Sequence, residues 1–135
     1  MRSYTKAAYA AEMTTRPKGS ISVIFVAQRT TADDAGYSAA AAVMVALANK
    51  QPGYLGMDSV RDSDGLGITV SYWANDIHAK AWRDHGEHAL IREAGRDRWY
   101  SDYSLHVGEV TRSYDWQKPW APYKPSLTPV SLYCF

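Results

Sequence analysis

The sequence has little cysteine and almost no net charge. It contains one cysteine, Cys134, among 135 residues, which excludes an internal disulfide and a multi-cysteine metal site. Its 15 lysines and arginines nearly balance 14 aspartates and glutamates, whereas nucleic-acid-binding domains have a basic surplus. No apolar run approaches the roughly 20 residues that a membrane-spanning helix needs. We therefore expect a protein that binds neither nucleic acid nor membrane.

The chain has enough apolar material for a folded core. Hydrophobic residues make up 46% of the sequence and charged residues 21%, which is typical of a globular domain. A length of 135 residues fits one domain. Residues 1–18 lack the basic-then-apolar order of a signal peptide. The composition therefore predicts a reduced, cytoplasmic, single-domain protein.

Aromatic residues are plentiful and unevenly placed. There are five Trp, ten Tyr and two Phe, and all five Trp follow Tyr72. Aromatic side chains dominate both ligand pockets and protein interfaces. The second half of the chain therefore contains a site, an interface or both.

Apolar periodicity and turn residues predict the order β-α-β-β-α-β. Strands are expected at 21–27, 54–61, 66–73 and 103–114. One helix is expected after capping residues at 30–34 and up to Lys50, and a second after a cap at 75–76 and up to Ala94. A break in the second helix is expected near Gly86, with a stop at Gly95 and a bulge at Gly108. This order is the ferredoxin-like pattern of an α+β protein.

The sequence pattern also divides the chain into three segments and predicts a dimer. Residues 1–20 form a leader with a short helix at 5–13, residues 21–116 form the domain, and residues 117–135 form a tail rich in proline and aromatic residues. We expect this tail to pack on its own domain or on a dimer partner. The strands are apolar on both faces, while helices cover one face of such a sheet. A second subunit packing sheet to sheet would cover the other, which predicts a homodimer.

Five short motifs carry a family resemblance. They are Tyr72-Trp73, the run Ala-Trp-Arg-Asp-His-Gly-Glu-His at 81–88, Gly95-Arg96, the run Trp-Tyr-Ser-Asp-Tyr at 99–103 and the run Val-Thr-Arg-Ser-Tyr at 110–114. Over residues 21–116 the chain resembles the antibiotic biosynthesis monooxygenase family, above all its small YgiN-like and haem-monooxygenase-like bacterial members. The resemblance implies a dimeric α/β barrel with a pocket between sheet and helices.

The resemblance also implies two chemistries. Characterised members oxidise polycyclic aromatic polyketides without metal or flavin, or cleave haem. Gln28 falls where haem-degrading members have an Asn, and Trp82 falls at their helix Trp, nine residues after Trp73. Their axial His position holds Arg92, and His88 lies one turn earlier on the same helical face. The resemblance thus implies no required cofactor, with haem as an alternative ligand or substrate held by a displaced His.

The residues themselves offer a base and a flat aromatic cavity. His85 and His88 lie three residues apart on the second helix; either imidazole can take a phenolic proton near neutral pH. Spacing shows no third ligand, so no metal site is predicted. The candidate catalytic residues are Gln28, Trp82, His88 and His85. The candidate ligand-binding residues are Trp73, Arg92, Trp99 and Tyr103, for which core packing or ion pairing is the simpler alternative.

Three functions remain open from the sequence. The first is a small oxygenase of the cofactor-independent type, acting on an aromatic or haem-like molecule in a homodimer. The second is a non-catalytic ligand-binding or stress-response protein of the same fold. The third is an isomerase, cyclase or dehydratase, because the fold does not fix the reaction.

Overall fold

Strands and helices alternate in the order that the sequence predicts. The computed structural model describes residues 15–118. The elements are β1 (Ile21–Arg29), α1 (Asp34–Asn49), β2 (Tyr54–Arg61), β3 (Leu66–Trp73), α2 (Asp76–Asp84), α3 (Gly86–Ala94), a π-helical turn (Gly95–Trp99) and β4 (Tyr100–Glu109). The α+β, ferredoxin-like prediction is confirmed. Homodimer formation stays a prediction.

The sheet is antiparallel and has the strand order β2-β3-β1-β4. Val23 of β1 pairs with Ser71 of β3 and Val107 of β4, so odd-numbered residues line up across the sheet. Because side chains alternate along a strand, odd-numbered strand residues share one face, which Tyr54 and Tyr100 join because a register shift separates each of them from the rest of its strand. We call this the covered face, because the helices pack on it, and the even-numbered side the open face.

A tryptophan stack forms the core between the covered face and the helices. Trp73 is completely buried and its ring lies 5.7 Å from that of Trp82, nearly parallel to it. The indole nitrogen of Trp73 donates to the Ser71 hydroxyl at 3.0 Å, so its one polar atom is satisfied. Ala48 and Ala79 close the cluster. The stack fixes where α2 sits on the sheet.

The helix break lies where glycine predicted it. Helix α2 begins after Asn75, whose side chain accepts from the His78 amide, and it ends at Asp84. His85 is extended, with ψ 130°, and α3 starts at Gly86. His85 thus separates the two helices, and His88 lies in the first turn of α3.

Three local predictions are corrected. Strand β4 spans Tyr100–Glu109 rather than 103–114, because its neighbour β1 begins only at Ile21. Gly108 pairs regularly with Ser22, and the register shift lies between Gln28 and Arg29 instead.

Gly95 does not stop the helix. Its φ of −61° continues it into the π-helical turn, whereas a glycine stop needs a left-handed residue. A Cβ at Gly95 would lie 3.0 Å from the Tyr100 ring. Glycine is therefore suited to this position by the close contact.

Two predictions lie outside the described residues. These are the helix at 5–13 and most of the tail, from residue 119 onward. The boundaries at 20 and 116 stay predictions. Among the helices of residues 15–118, none is long and apolar enough to cross a membrane.

Candidate functional site

A cavity of about 680 Å³ lies between the covered face and the helices. Its floor is formed by odd-numbered strand residues, including Val23, Phe25 and Met57, and its roof by α1, α2 and α3. Leu105 and Val107 line it on β4 and are about half exposed, which places the mouth at this edge. Volume and apolar walls suit a small flat molecule.

His88 lies at one end of the cavity and is held in one orientation. Its Nδ1 lies 2.8 Å from the carbonyl oxygen of Trp82, and its ring stacks on the Trp82 indole at 4.5 Å. Because a carbonyl only accepts, Nδ1 carries the proton and donates it. Within residues 15–118, Nε2 has no hydrogen-bond partner. Its lone pair is therefore free for a ligand.

Burial keeps this imidazole neutral. Desolvation lowers the pKa of His88 below its usual value, and the charges of Arg92 and His85 lower it further, against the opposing hydrogen bond to Trp82. Burial disfavours the charged form of a histidine. At neutral pH His88 is therefore a proton acceptor.

Two polar side-chain atoms beside this end lack partners. In the described part of the chain, Nδ1 of His85 and Nε of Arg92 are buried without a hydrogen bond. Arg92 lines the cavity and donates to the Arg83 carbonyl at 3.2 Å. His85 lies behind Trp82, with ring centroids 5.8 Å apart, and is not part of the lining. Arg92 thus lines the cavity while its Nε is buried without a partner.

The other end of the cavity is formed by Arg61, Tyr37 and Tyr100. Arg61 donates to the Tyr37 hydroxyl at 3.1 Å. Burial raises the pKa of Tyr100 far above its usual value, as do the charge and hydrogen bond of Tyr37, so this phenol stays protonated. Sequence reasoning missed this group. The alternation of side chains along β2 could have revealed it, since Arg61 lies an even number of residues from Met57 and therefore shares the covered face.

Trp99 and Tyr103 also line the cavity, but their polar atoms are engaged in the fold. The Trp99 indole nitrogen donates to Asp33 Oδ2 at 3.1 Å, and this is the largest cause lowering the pKa of Asp33. The Tyr103 hydroxyl accepts from Arg96 Nε at 2.7 Å. These two residues therefore offer the cavity mainly ring surface.

Gln28 and Trp73 lie outside the cavity, contrary to the grouping expected from the sequence. Gln28 occupies an even position of β1, on the open face, and its side-chain amide donates to the Asp64 carbonyl at 2.7 Å. Trp73 is sealed behind Trp82 in the core. Of the candidates, the structure brings Trp82, His88, Arg92, Trp99 and Tyr103 to one cavity.

Metal and haem ligands are sparse around this cavity. Residues 15–118 contain no cluster of three or more His, Cys, Asp or Glu residues that could hold a metal ion. His88 is the histidine among the described lining residues, and its Nε2 is the nitrogen that could ligate a haem iron. Haem binding stays a prediction, and no step below is routed through haem.

Sequence comparisons find two curated relatives. YqjZ from Bacillus subtilis, an uncharacterized protein, is 49% identical over 80 residues, which cover 59% of this chain and 70% of YqjZ. The jasmonate monooxygenase ABM of Pyricularia oryzae is 37% identical over 46 residues, 34% of this chain and only 21% of that protein. No family model matches.

Solved structures share the fold at low identity. The structure of a point mutant of SnoaB, a cofactor-independent oxygenase from Streptomyces nogalater, aligns with a TM-score of 0.61 at 11% identity. The alignment covers 70% of this chain and 95% of the SnoaB chain. A Nitrosomonas europaea protein, provisionally named an antibiotic biosynthesis monooxygenase, gives 0.61 at 12% identity over 70% and 93%. Rv0793 from Mycobacterium tuberculosis gives 0.57 at 13% identity over 65% and 91%. At these identities the likeness establishes the fold.

Proposed function

Since the chain belongs to the same family as YqjZ and has the antibiotic biosynthesis monooxygenase fold, we propose that it is a small oxygenase of the cofactor-independent type. Its substrate is a flat aromatic molecule with an acidic ring hydroxyl, bound in the sheet–helix cavity. The observation that carries the proposal is His88, a neutral imidazole in the lining of a mainly apolar cavity, whose Nε2 has no hydrogen-bond partner in the described part of the chain. Phe25, Trp82 and Trp99 supply ring surface on which such a molecule can stack.

His88 starts the reaction as a general base. Nε2 takes the proton of the ring hydroxyl, and the substrate becomes an anion. The anion passes one electron to O₂, which gives superoxide and a ring radical, and these combine to form a carbon–oxygen bond. The peroxide then takes the proton back from His88 and loses water. Overall, the ring hydroxyl, one ring C–H group and O₂ become two carbonyl groups and one water molecule.

The cavity contributes orientation and dryness. Trp82 holds the His88 ring flat and fixes its tautomer, so that Nε2 is the basic nitrogen. Apolar walls exclude water, which strengthens the electrostatic interactions of the anion with its surroundings. Arg92, beside His88 and without a carboxylate partner in residues 15–118, supplies positive charge to the same end.

Oxygen uptake tests the proposal. Anthrone-type phenols are incubated with the protein while dissolved O₂ and quinone product are measured. His88→Asn keeps a donor near the position of Nδ1 but removes the base, and should slow turnover roughly 100-fold or more. His106→Asn is the matched control, since His106 is exposed on the open face, and should retain turnover within about twofold.

The outcomes separate the competing functions. Binding of the phenols without O₂ uptake would overturn the oxygenase and favour a ligand-binding protein. Conversion of substrate at an equal rate without O₂ would favour an isomerase, cyclase or dehydratase. Equal turnover in His88→Asn and His106→Asn would remove His88 from the mechanism.

We also propose that the protein acts as a homodimer through the open face. Three apolar side chains there are strongly exposed in the single chain: Val60 at 64%, Leu66 at 46% and Ile68 at 41%. A contiguous exposed apolar patch of this kind is typical of an interaction surface. A second copy, packed sheet to sheet, would cover it.

A further inference from the structure

The charged residues in the cavity lining are mostly basic. The lining includes five lysine and arginine side chains and one carboxylate, Asp76. Lys80 pairs with Asp76, Arg83 with Asp84, and Arg96 with Glu93. Within residues 15–118, Arg61 and Arg92 have no carboxylate partner. An uncompensated guanidinium beside an apolar cavity favours an anionic ligand.

Arg61 is the better fixed of the two. One of its terminal nitrogens donates to the backbone carbonyls of Ala27 and Gly65, and the other donates to the Tyr37 hydroxyl at 3.1 Å. Its head group lies against Gly67, where a Cβ would come within 2.5 Å of Cζ. A glycine at this point of β3 therefore leaves the space that the guanidinium occupies. These contacts pre-organise the group, so little side-chain freedom is lost when a ligand binds.

Two phenol hydroxyls accompany Arg61. Tyr37 accepts from Arg61, and its ring packs edge to face on the Tyr100 ring with the centroids 6.1 Å apart. The charges of Arg61 and Arg29 both reach Tyr100. Burial keeps the pKa of Tyr100 high, so the phenol remains a neutral donor. A guanidinium with neighbouring O–H donors is a site that suits a carboxylate.

We propose that Arg61, with Tyr37 and Tyr100, binds a carboxylate group of the substrate, so that the substrate is an aromatic carboxylic acid. The inference rests on the proposed function, because it names the substrate class of the same cavity. It places the acid at the Arg61 end and the reacting ring hydroxyl at the His88 end. A flat acid bound in this way is oriented along the strands, with its apolar rings between the two polar ends.

Equilibrium binding tests the carboxylate site without turnover. The probes are anthraquinone-2-carboxylate and its neutral carboxamide, which have nearly the same shape. Affinity is measured by calorimetry with the full chain. The acid should bind at least tenfold more tightly than the amide. Arg61→Gln should abolish that preference and leave amide affinity within about twofold.

Two further variants keep the test decisive. Gly67→Ala retains Arg61 but pushes its flexible head group from its place, so the preference should fall by at least threefold while the thermal unfolding curve shows a folded protein. Arg83→Gln is the matched control, since Arg83 lines the cavity but pairs with Asp84. It should keep the preference.

Each outcome decides the inference. Equal affinity for acid and amide, no binding of either, or a preference retained in folded Arg61→Gln would overturn it. A preference lost in Arg92→Gln but kept in Arg61→Gln would place the acid beside His88 and would also overturn it. Selective binding of the acid without O₂ uptake from any phenol would support the carboxylate site and contradict the oxygenase; uptake without selectivity would do the reverse.

Discussion

The two faces of the sheet are built from the same four strands and differ in almost every property. The covered face holds the tryptophan stack and a cavity with His88 and Arg61 at its ends. The open face exposes Val60, Leu66 and Ile68. Alternation alone separates the faces, since neighbouring residues point to opposite sides. A one-residue change in register would exchange them.

The difference shows that apolar character alone does not mark the site. Both faces are apolar, but the helices cover one of them incompletely and leave a cavity. Polar groups enter this cavity from α3 and from the ends of the strands. On the open face Val60, Leu66 and Ile68 are exposed, and such apolar surface is suited to a partner rather than to a small molecule.

The largest expected difference between the faces concerns stability. Trp73→Ala removes the completely buried indole from the tryptophan stack and should lower the free energy of unfolding by roughly 3–5 kcal/mol. Tyr72→Ala, one residue earlier on the open face, should cost about half as much or less, because the ring is only half-buried. This smaller cost includes the loss of the Arg16 guanidinium that stacks on the ring. Urea unfolding of both variants measures the difference. Equal losses would contradict the division into two faces.

A charge on the open face should break the predicted homodimer. Ile68→Asp places a carboxylate in the centre of the proposed interface and should weaken dimerisation at least tenfold, or about 1.4 kcal/mol. Ala42→Asp, on an exposed position of α1 outside the cavity lining, is the control and should have no such effect. Light scattering over a series of protein concentrations measures the molar mass in solution and so distinguishes dimer from monomer. A monomeric wild-type protein would refute the dimer.

Acid should weaken the fold through His88. Its pKa is lower in the folded chain than the ordinary value of 6.5, mainly because of burial. Below pH 6.5 the unfolded chain therefore binds a proton before the folded one does, and stability falls with pH until the folded pKa is reached. His88→Asn should lose less stability between pH 7.5 and pH 5 than the wild type. Identical pH dependence in urea unfolding would show that His88 is not buried as described.

The smallest expected effect belongs to Gln28. Gln28→Ala removes a hydrogen bond to the Asp64 carbonyl on the open face and should cost about 0.5–1.5 kcal/mol of stability. Binding of the anthraquinone probes should stay within about twofold, because Gln28 is not part of the cavity. A tenfold loss of affinity, measured by calorimetry, would show that Gln28 contributes to ligand binding, as the sequence analysis predicted.

Local sequence signals located most elements. The bounds of β2 and β3 agree with the prediction, because a four-residue turn with Asp62 and Gly65 separates two strand-forming runs. Gly86 located the helix break. The end of β4 and the register shift were missed, since both depend on where the neighbouring strand β1 begins and bends.

The family resemblance, confirmed by the comparisons, named residues that the structure brings to the candidate cavity. Trp82 and His88 lie together at the cavity as expected. Gln28 was misplaced because matching it to a family position took no account of which face an even-numbered residue of β1 occupies. Arg61 and Tyr37 were missed because they are far apart in sequence and meet only across the packed α1 and β2.

The sequence by itself determined the element order, the fold class and the presence of two histidines in the second helical region. These properties rest on local periodicity, turn residues and short motifs, which the chain displays without tertiary contacts. Only the tertiary structure decided which face holds the cavity, which nitrogen of His88 is free and which cavity arginines lack a carboxylate partner among the described residues. Each of these depends on distances between side chains from different elements, and such distances are fixed only when the helices pack on the sheet.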